Sequence, residues 1–209
     1  MHPISVMVLA GGESRRMGAN KALLELSSGE TLIERVLNNL RPLSDDFVIV
    51  SNMPALYAHL DARQTSDDFV GAGPLAGLHA GLQATRHDWT FVVACDMPLI
   101  DHRLVRFMAG LTEGHDAVVP LVEDELEPLH ALYHKGCLPV ITSHLEAGHR
   151  RMISFYADVR VRRVEAAEVA LFDPEGKTFF NANTPEDWQR LQELLATPGG
   201  RRSAAEDTP

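Results

Sequence analysis

Three short, predominantly apolar runs constrain the fold of this chain more than any other feature. They are Ile4–Leu9, Phe47–Val50 and Thr90–Ala94, and none alternates with polar residues as a half-exposed strand would. Runs of this kind predict buried strands. Because helix signals separate them along the chain, the sequence predicts an α/β fold built on a central sheet.

The segments between these runs carry specific helix signals. Thr31 and Glu34 form a capping box ahead of an apolar stripe, and Asp101 is placed to cap another helix. Thr184 followed by Pro185 predicts the start of a last helix. Further helices are expected at 54–60, 74–85, 138–145 and 152–156, and further strands at 117–122, 129–134 and 159–164, with an acidic turn at 123–125 and the last strand half-exposed or at an edge.

Length and composition favour one nucleotide-handling domain followed by a short tail. The chain has 209 residues, of which 45% are apolar, enough for a substantial core. No internal repeat or interdomain linker interrupts residues 1–197. Residues 198–209 consist mainly of Pro, Gly, Arg, Ser and acidic residues, and we expect them to be disordered.

Charge and targeting signals exclude several classes of function. A formal net charge of −10 argues against broad binding to nucleic acid or to anionic membranes. The chain carries neither a signal-peptide pattern nor an apolar stretch of membrane-spanning length, so we expect a cytoplasmic protein without membrane contact. Cys95 and Cys137 lack metal-ligand spacing and are expected to be reduced thiols. His130 and His134 would lie about 13 Å apart along a strand, too far to share a metal ion.

A loop rich in glycine and basic residues, from Leu9 to Lys21, follows the first strand. Its glycines, Gly12 among them, allow backbone N–H groups to approach a ligand closely. Arg15, Arg16 and Lys21 supply positive charge. The loop matches neither a P-loop nor a dinucleotide fingerprint. It is therefore a candidate phosphate-binding loop, with a glycine-rich turn carrying solvated arginines as the alternative.

Asp96 follows the third apolar run. An aspartate at the carboxyl end of a buried strand occupies the edge where open α/β sheets bind ligands. Mg²⁺ prefers one or two carboxylates together with phosphate oxygens and water, and Asp96 suits that role. A turn or capping aspartate before Pro98 is the alternative.

Two more segments have residue types that suit substrate binding. The glycines of 71–77 permit a close backbone approach, and Pro74 begins a helix whose N-terminus could face an anion or a ribose. Asn181 and Asn183 point the same way if their segment is extended. A plain loop-to-helix turn and ordinary turn chemistry are the respective alternatives.

Together, and in this order, the four segments resemble the molybdenum-cofactor guanylyltransferase family of nucleotidyltransferases. The family's opening signature is similar to Leu-Ala-Gly-Gly-x-Ser-x-Arg-Met-Gly-x-x-Lys, and 9–21 fits every specified position. The later motifs match 73–77, 95–98 and 181–186. The resemblance implies a Rossmann-like, three-layer α/β/α fold with a mostly parallel sheet. It also implies a reaction, the transfer of GMP from GTP to molybdenum-bound molybdopterin with release of pyrophosphate.

The resemblance also implies roles for individual residues. Mg²⁺ would be the cofactor, and transient contact with cofactor-insertion proteins or molybdoenzymes is an expected partnership. Arg15, Lys21 and Asp96 would carry catalysis. Asp96 would bind both the nucleotide and the metal, and Asn181 and Asn183 would bind the substrate. The other residues implied in nucleotide binding are Leu9, Ala10, Gly11, Gly12, Lys21, Asn52 and Asp67.

Competing functions remain open at this stage. A cytidylyltransferase for the same pterin, or a nucleotidyltransferase for another phosphorylated acceptor, would use the same types of residue. A non-catalytic nucleotide-binding module is a third hypothesis, but it has no need for both Lys21 and Asp96. Residues 9–12 favour GTP over CTP, because their backbone groups can match the hydrogen-bonding edge of guanine and related cytidylyltransferases usually carry a different residue pair where this chain has Ala10-Gly11-Gly12.

Overall fold

An eight-stranded sheet forms the centre of the computed structural model, which describes residues 2–11, 20–69 and 71–196. The main order of the strands is β3-β2-β1-β4-β7-β5-β6, and β8 also pairs with β5. Pairs β1–β2, β1–β4, β2–β3 and β5–β8 are parallel, and the other three pairs are antiparallel, so the sheet is mostly parallel. The strands are β1 (Ile4–Leu9), β2 (Phe47–Val50), β3 (Arg63–Thr65), β4 (Trp89–Ala94), β5 (Ala117–Val122), β6 (Glu125–Leu126), β7 (His130–His134) and β8 (Val161–Val164).

Six α-helices in the described residues accompany the sheet, and the predicted caps are present. Thr31 and Glu34 form the capping box of α1, the Asp101 side chain accepts a hydrogen bond from Arg103 N at the start of α3, and Thr184 accepts one from Asp187 N at α6. These contacts satisfy N–H groups that a first helical turn leaves without partners. The helices are α1 (Leu32–Leu40), α2 (Pro74–Ala84), α3 (His102–Ala109), α4 (Leu138–Glu146), α5 (Ala166–Val169) and α6 (Pro185–Ala196).

The structure differs from the predicted elements at a few places. The helix expected at 54–60 is only a 3₁₀ turn, Pro54–Tyr57, and the one expected at 152–156 is a 3₁₀ segment, Met152–Asp158. Strand β3 and the four-residue helix α5 were not predicted, since β3 is a short polar strand at the sheet edge and has no apolar run. The acidic turn is shorter than predicted, because β6 already begins at Glu125.

Two apolar cores fill the space between the sheet and its helices. Alternate residues of β1 enter opposite cores, Val6 and Val8 on one face and Met7 and Leu9 on the other. The first core includes buried residues of α1 and α3, and the second includes those of α2 and α4. This is the three-layer α/β/α arrangement that the resemblance implies.

Helix α2 packs against β1 at Gly81, where the Met7 side chain fills the space that a Cβ would take. A Cβ atom on Gly81 would fall 2.3 Å from Met7 Cε, which is closer than nonbonded carbon atoms approach. Glycine at this position therefore allows the helix to pack directly on the strand. The close packing also brings the N-terminal end of α2 over the carboxyl ends of β1 and β2, where the candidate site lies.

Both cysteines are buried free thiols. Burial raises the pKa of each thiol to about 12, so neither is ionised near neutral pH. Within the described ranges, no helix has the length and apolar character needed to span a bilayer.

Candidate active site

The predicted site residues are gathered at one edge of the sheet, which we call the carboxyl edge. Strands β1 to β4 are parallel, so their last residues reach this edge together. Hydrogen bonds from Ala10 N to Val50 O, at 2.9 Å, and from Cys95 N to Leu9 O, at 3.1 Å, hold the chain in place just beyond the strands. Ala10 and Gly11 thus follow β1 directly, and Asp96 lies next to them beyond β4.

Lys21 joins two segments of the predicted site. Its Nζ forms an ion pair with Asp96 Oδ2 and donates a hydrogen bond to Asn183 Oδ1 at 2.8 Å. Asp96 and Asn183 are 75 and 162 positions away from Lys21 in sequence, so only the fold brings the three residues together. We call this set the Lys21–Asp96–Asn183 cluster.

One carboxylate oxygen of Asp96 has no hydrogen-bond partner in the described part of the chain. Asp96 is 7% exposed, and its Oδ1 is buried without a hydrogen bond to any described residue. An unsatisfied buried carboxylate oxygen is costly unless a ligand completes it. Asp96 Oδ1 therefore suits a hard cation such as Mg²⁺. In the described part of the chain, no group of three or more His, Cys, Asp or Glu side chains could hold a metal ion, so other ligands would come from phosphates and water.

The backbone next to Asp96 fixes the segment that carries the two asparagines. Ala182 N donates to Asp96 O at 3.0 Å, and Ala182 is buried. The asparagines on either side make different contacts: Asn183 reaches Lys21, while Asn181 Nδ2 donates to Phe179 O at 3.2 Å. Of the two predicted substrate residues, Asn183 joins the cluster, and the Asn181 amide is engaged with the backbone.

Asn52 and Asp67 form a reciprocal pair beyond β2 and β3. Asn52 Nδ2 donates to Asp67 Oδ2, and Asp67 N donates to Asn52 Oδ1, both at 3.3 Å. Burial raises the pKa of Asp67, with the hydrogen bond from Asn52 opposing this and the charge of Asp68 adding to it. The Asp67 carboxyl is therefore poised to gain from a hydrogen-bond donor on a ligand.

The glycine turn at 73–77 lies against the same edge. Gly73 has φ = 73°, a conformation that L side chains rarely adopt. A Cβ on Gly77 would lie 3.2 Å from Leu9 Cδ2 and 3.8 Å from Asp67 Oδ1. The first turn of α2 is thus packed between the ends of β1 and β3, and Gly77 leaves room there.

Tyr57 is a supporting residue that the sequence analysis missed. Its buried hydroxyl accepts a hydrogen bond from Asn20 Nδ2 at 2.9 Å and donates to Ala10 O at 3.5 Å. Asn20 in turn accepts from Ala22 N, which begins the 3₁₀ turn containing Lys21. Tyr57 thus ties the start of the loop to its end. No local sequence pattern signals this role, because the partners Asn20 and Ala10 are distant in sequence.

Three residues of the predicted loop, Gly12, Arg15 and Arg16, lie outside the described residues. The described parts of the loop are its beginning, Leu9–Gly11, and its end from residue 20.

The histidines of β7 have packing roles. The His130 ring lies edge-on to Phe91 and Phe179, with ring centroids 4.9 and 5.0 Å apart. Burial lowers the pKa of His130 to about 3, so the ring is neutral. His134 Nδ1 accepts from Gly136 N at 3.0 Å.

Comparison with known proteins gives consistent matches over most of the chain. The model of a family described as the MobA-like NTP transferase domain matches residues 6–162. A protein of Desulfosudis oleivorans named molybdenum cofactor guanylyltransferase is 36% identical over 93% of this chain and 97% of its own length. One from Pelotomaculum thermopropionicum, named a probable molybdenum cofactor guanylyltransferase, is 42% identical over 87% of this chain and 88% of its own.

Solved structures give the same fold. Molybdopterin-guanine dinucleotide biosynthesis protein A of Archaeoglobus fulgidus superposes with a TM-score of 0.80 at 30% identity, covering 92% of this chain and 98% of its own. A 2-C-methyl-D-erythritol 4-phosphate cytidylyltransferase of Thermus thermophilus has a TM-score of 0.70 at 19% identity, covering 93% of this chain and 100% of its own. The second likeness concerns the fold alone.

Proposed function

Because the chain belongs to the MobA-like NTP transferase family and to its molybdenum cofactor guanylyltransferases, we propose that it transfers GMP from GTP to the terminal phosphate of molybdenum-bound molybdopterin. The products are the guanine dinucleotide form of the cofactor and pyrophosphate. The relatives' names supply the reaction, and the residues at the carboxyl edge supply a physical account of it.

The observation that carries this proposal is the Lys21–Asp96–Asn183 cluster. A lysine ammonium next to a carboxylate with a free buried oxygen provides a site for both a phosphate and a cation. A module that only binds nucleotide does not need this pairing. The cluster lies at the carboxyl edge of a parallel sheet, where open α/β sheets bind their ligands.

The nucleotide is proposed to lie over β1, β2 and β3. Backbone groups of Leu9 to Gly12 would match the guanine edge, with its O6 acceptor and its N1 and N2 donors. Asn52 and Asp67 would contact the remainder of the nucleoside, since they extend the same edge. Lys21 and Arg15 would neutralise the triphosphate.

Asp96 would hold a divalent cation, which we propose to be Mg²⁺. Its Oδ1 is the unpartnered atom available for such an ion. When bound, the cation would withdraw charge from the phosphate oxygens and align them for displacement. In the free protein Lys21 occupies Oδ2, and we propose that Lys21 turns from Asp96 towards the triphosphate when GTP enters.

The chemical step needs positioning and charge neutralisation more than a base. A phosphate oxygen of the acceptor, already anionic, forms a bond to the α-phosphorus of GTP. The bond between that phosphorus and the bridging oxygen of the β-phosphate breaks, and pyrophosphate leaves with the electron pair. No proton has to be removed from the nucleophile. Lys21 lowers the repulsion between the two anions, and Asn183 orients Lys21 through its hydrogen bond.

A pyrophosphate-release assay tests the proposed function. The purified protein with Mg²⁺ and molybdenum-bound molybdopterin should release pyrophosphate with GTP and not with CTP or ATP. Lys21→Ala should lower turnover by roughly 10²- to 10³-fold, since a charge-stabilising donor is lost. Lys177→Ala is the matched control, because Lys177 pairs only with the exposed Glu175 among the described residues.

Each outcome of this assay is decisive. Release with CTP in place of GTP would reassign the protein as a cytidylyltransferase. Absence of release with every nucleotide, by protein that binds GTP in calorimetry, would contradict catalysis and favour a nucleotide-binding module.

A further inference from the structure

The order of the strands divides the carboxyl edge into two sides. Residues proposed for the nucleotide follow β1, β2 and β3, and Asp96 follows β4. The neighbour of β4 on the other side is β7, which runs antiparallel, so β7 begins at the carboxyl edge. The segment that precedes β7 therefore lies on the side of Asp96 away from the nucleotide residues. This segment is therefore placed to contact a molecule that reacts with the nucleotide at Asp96.

Glu127 lies near Asp96, just beyond the end of the β4–β7 ladder. The pairing of β4 with β7 runs from Trp89 opposite His134 to Val93 opposite His130. The hydrogen bond from Ala94 N to Leu129 O, at 3.3 Å, extends the ladder by one position. Beyond this bond both chains turn, with Met97 N donating to Ala94 O and His130 N donating to Glu127 O. The charge of Asp96 acts on the Glu127 carboxyl, so the two carboxyls lie near each other just past the end of the ladder.

The segment around Glu127 is firmly held. Glu127 N donates to Pro120 O at 2.9 Å, and Leu129 N donates to Glu127 Oε1 at 3.1 Å. The hydroxyl of the fully buried Tyr133 donates to Pro128 O at 2.9 Å. Such a segment holds the Glu127 carboxylate in one position.

The hydroxyls of two tyrosines support this segment from the core. The hydroxyls of Tyr133 and Tyr156 lie 2.5 Å apart, and because Tyr133 donates to Pro128 O, Tyr156 donates to Tyr133. Both tyrosines pack against Phe155 in the core. The carbonyl of Pro128 is therefore fixed by a side chain anchored in the core.

One oxygen of Glu127 is left for a ligand. Only Oε1 has a hydrogen bond, and no described lysine, arginine or histidine pairs with this carboxylate. Burial raises the pKa of Glu127, the hydrogen bond from Leu129 opposes this, and the charge of Asp96 raises the pKa further. A half-buried carboxylate that is repelled by its neighbour gains most from a hydrogen-bond donor.

Charge decides which part of an incoming molecule Glu127 can contact. A phosphate group would be repelled by the carboxylate, and Lys21 beside Asp96 is the cation proposed to serve phosphates. A carboxylate forms a complementary pair with adjacent N–H donors, such as the amino group and ring N–H of an aminopyrimidine-type ring. The proposed acceptor carries such donors on its pterin ring.

We propose that Glu127 binds the acceptor by accepting hydrogen bonds from N–H donors of its nitrogen heterocycle, and so selects the molecule that receives the nucleotide. This inference rests on the proposed function, because it takes the acceptor to be a phosphorylated pterin. It divides the work at the carboxyl edge, with the nucleotide held over β1–β3 and the acceptor held by the segment before β7.

Glu127→Gln is the direct test. The amide oxygen of glutamine can still accept from Leu129 N, so the segment should stay in place, while the amide NH₂ would face the donors of the acceptor. The KM for molybdenum-bound molybdopterin should rise about 10- to 100-fold, the range expected for losing hydrogen bonds to a charged group. The affinity for GTP in calorimetry and for Mn²⁺ in the presence of GTP by electron paramagnetic resonance should change less than about twofold.

Two further variants separate this role from a structural one. Glu125→Gln is the matched control, because Glu125 is an exposed residue of the same hairpin, and its KM values should equal those of the wild type. Glu127→Asp keeps the charge and should give a KM for the acceptor between those of the wild type and Glu127→Gln. Thermal unfolding of all three variants should match the wild type within about 2 °C.

The outcomes distinguish this inference from the function on which it rests. An unchanged acceptor KM in Glu127→Gln, with an active wild type, would overturn the role of Glu127 alone. A loss of Mn²⁺ or GTP affinity would overturn it in favour of a metal or nucleotide ligand. A wild type that releases no pyrophosphate from GTP and the acceptor would remove the proposed function and this inference with it.

Discussion

Two buried aspartates lie at opposite edges of the sheet, and their surroundings differ. Asp46 precedes β2 at the amino edge and is 1% exposed, while Asp96 follows β4 at the carboxyl edge and is 7% exposed. Both oxygens of Asp46 accept hydrogen bonds. Oδ2 accepts from the Ser5 hydroxyl and from Arg86 N, and Oδ1 accepts from the side chains of Arg63 and Arg86. Asp96 has one oxygen paired with Lys21 and one without any described partner.

The difference separates a residue that stabilises the fold from one that is kept for a ligand. Burial raises the pKa of Asp46, but the hydrogen bonds from Ser5, Arg86 N and Arg63, with the charge of Arg63, outweigh it and lower the pKa to about 2. A carboxylate satisfied in this way contributes to folding. A buried oxygen left without a partner costs stability, and proteins retain such groups where binding completes them.

The largest expected effect concerns catalysis at Asp96. Asp96→Asn should lower turnover by roughly 10²- to 10³-fold, because the cation loses a charged ligand. The free energy of unfolding should change by less than about 1 kcal/mol, since no well-satisfied network is broken. Pyrophosphate release and urea denaturation measure the two quantities. A variant with near-wild-type turnover would contradict the role given to Asp96.

Substitution of Asp46, at the opposite edge, should lower the stability of the protein and leave catalysis intact. Asp46→Ala should lower the free energy of unfolding by about 3 kcal/mol, because four hydrogen bonds are lost. The arginines left behind are half exposed, so the loss stays at the low end for a broken buried pair. Turnover per folded molecule should match that of Asp61→Asn, a control at an exposed aspartate. A loss of activity without a loss of stability would remove the contrast between the edges.

Lowering the pH should reveal the contribution of Asp46 to stability. A carboxyl whose pKa is lowered on folding stabilises the protein above its unfolded pKa, about 3.9, and loses this contribution as the pH falls towards its folded value. Between pH 4 and pH 2, Asp46 should therefore account for about 2 kcal/mol of lost stability. Denaturation of wild type and Asp46→Asn at both pH values measures this. The pKa of Asp116, also lowered to about 2 beside Arg160, is common to both proteins and cancels. If the free energy of unfolding fell equally in both proteins between pH 4 and pH 2, Asp46 would not be responsible for the lost stability.

The smallest effect is expected at Tyr57, which supports the carboxyl edge indirectly. Tyr57→Phe removes the hydroxyl between Asn20 and Ala10 and should cost about 1 kcal/mol of stability. The KM for GTP should rise about three- to tenfold, with turnover nearly unchanged, because the loop is displaced and no reacting group is lost. Steady-state kinetics and thermal unfolding provide the check. A change confined to turnover would assign Tyr57 a direct part in the chemistry.

The contrast also explains how much was predictable from the sequence. Apolar runs and cap residues act locally, so β1, β2, β4 and the starts of α1, α3 and α6 were predicted where they occur. Strand β3 has no apolar run because it lies at the sheet edge, and so it was missed.

The sequence predicted which residues belong to the site better than it predicted the contacts between them. Sequence motifs pointed to Lys21, Asp96 and Asn183 separately, but their convergence depends on the order of the strands. The roles of Tyr57 and Glu127 follow from hydrogen bonds between distant segments, which leave no pattern in the local sequence. Asp46 was likewise missed, since its partners are 17 to 41 residues away.

The bonds between Asn183 and Lys21 and between Ala182 and Asp96 have a consequence for biosynthesis. A chain emerging from the ribosome contains Lys21 and Asp96 long before it contains Asn183. Until the segment around residue 182 has left the exit tunnel, the ammonium of Lys21 lacks its asparagine and the loop carrying Asp96 lacks its backbone brace. Nascent chains that lack this segment are therefore unable to assemble the cluster, and competence for the proposed reaction requires its synthesis.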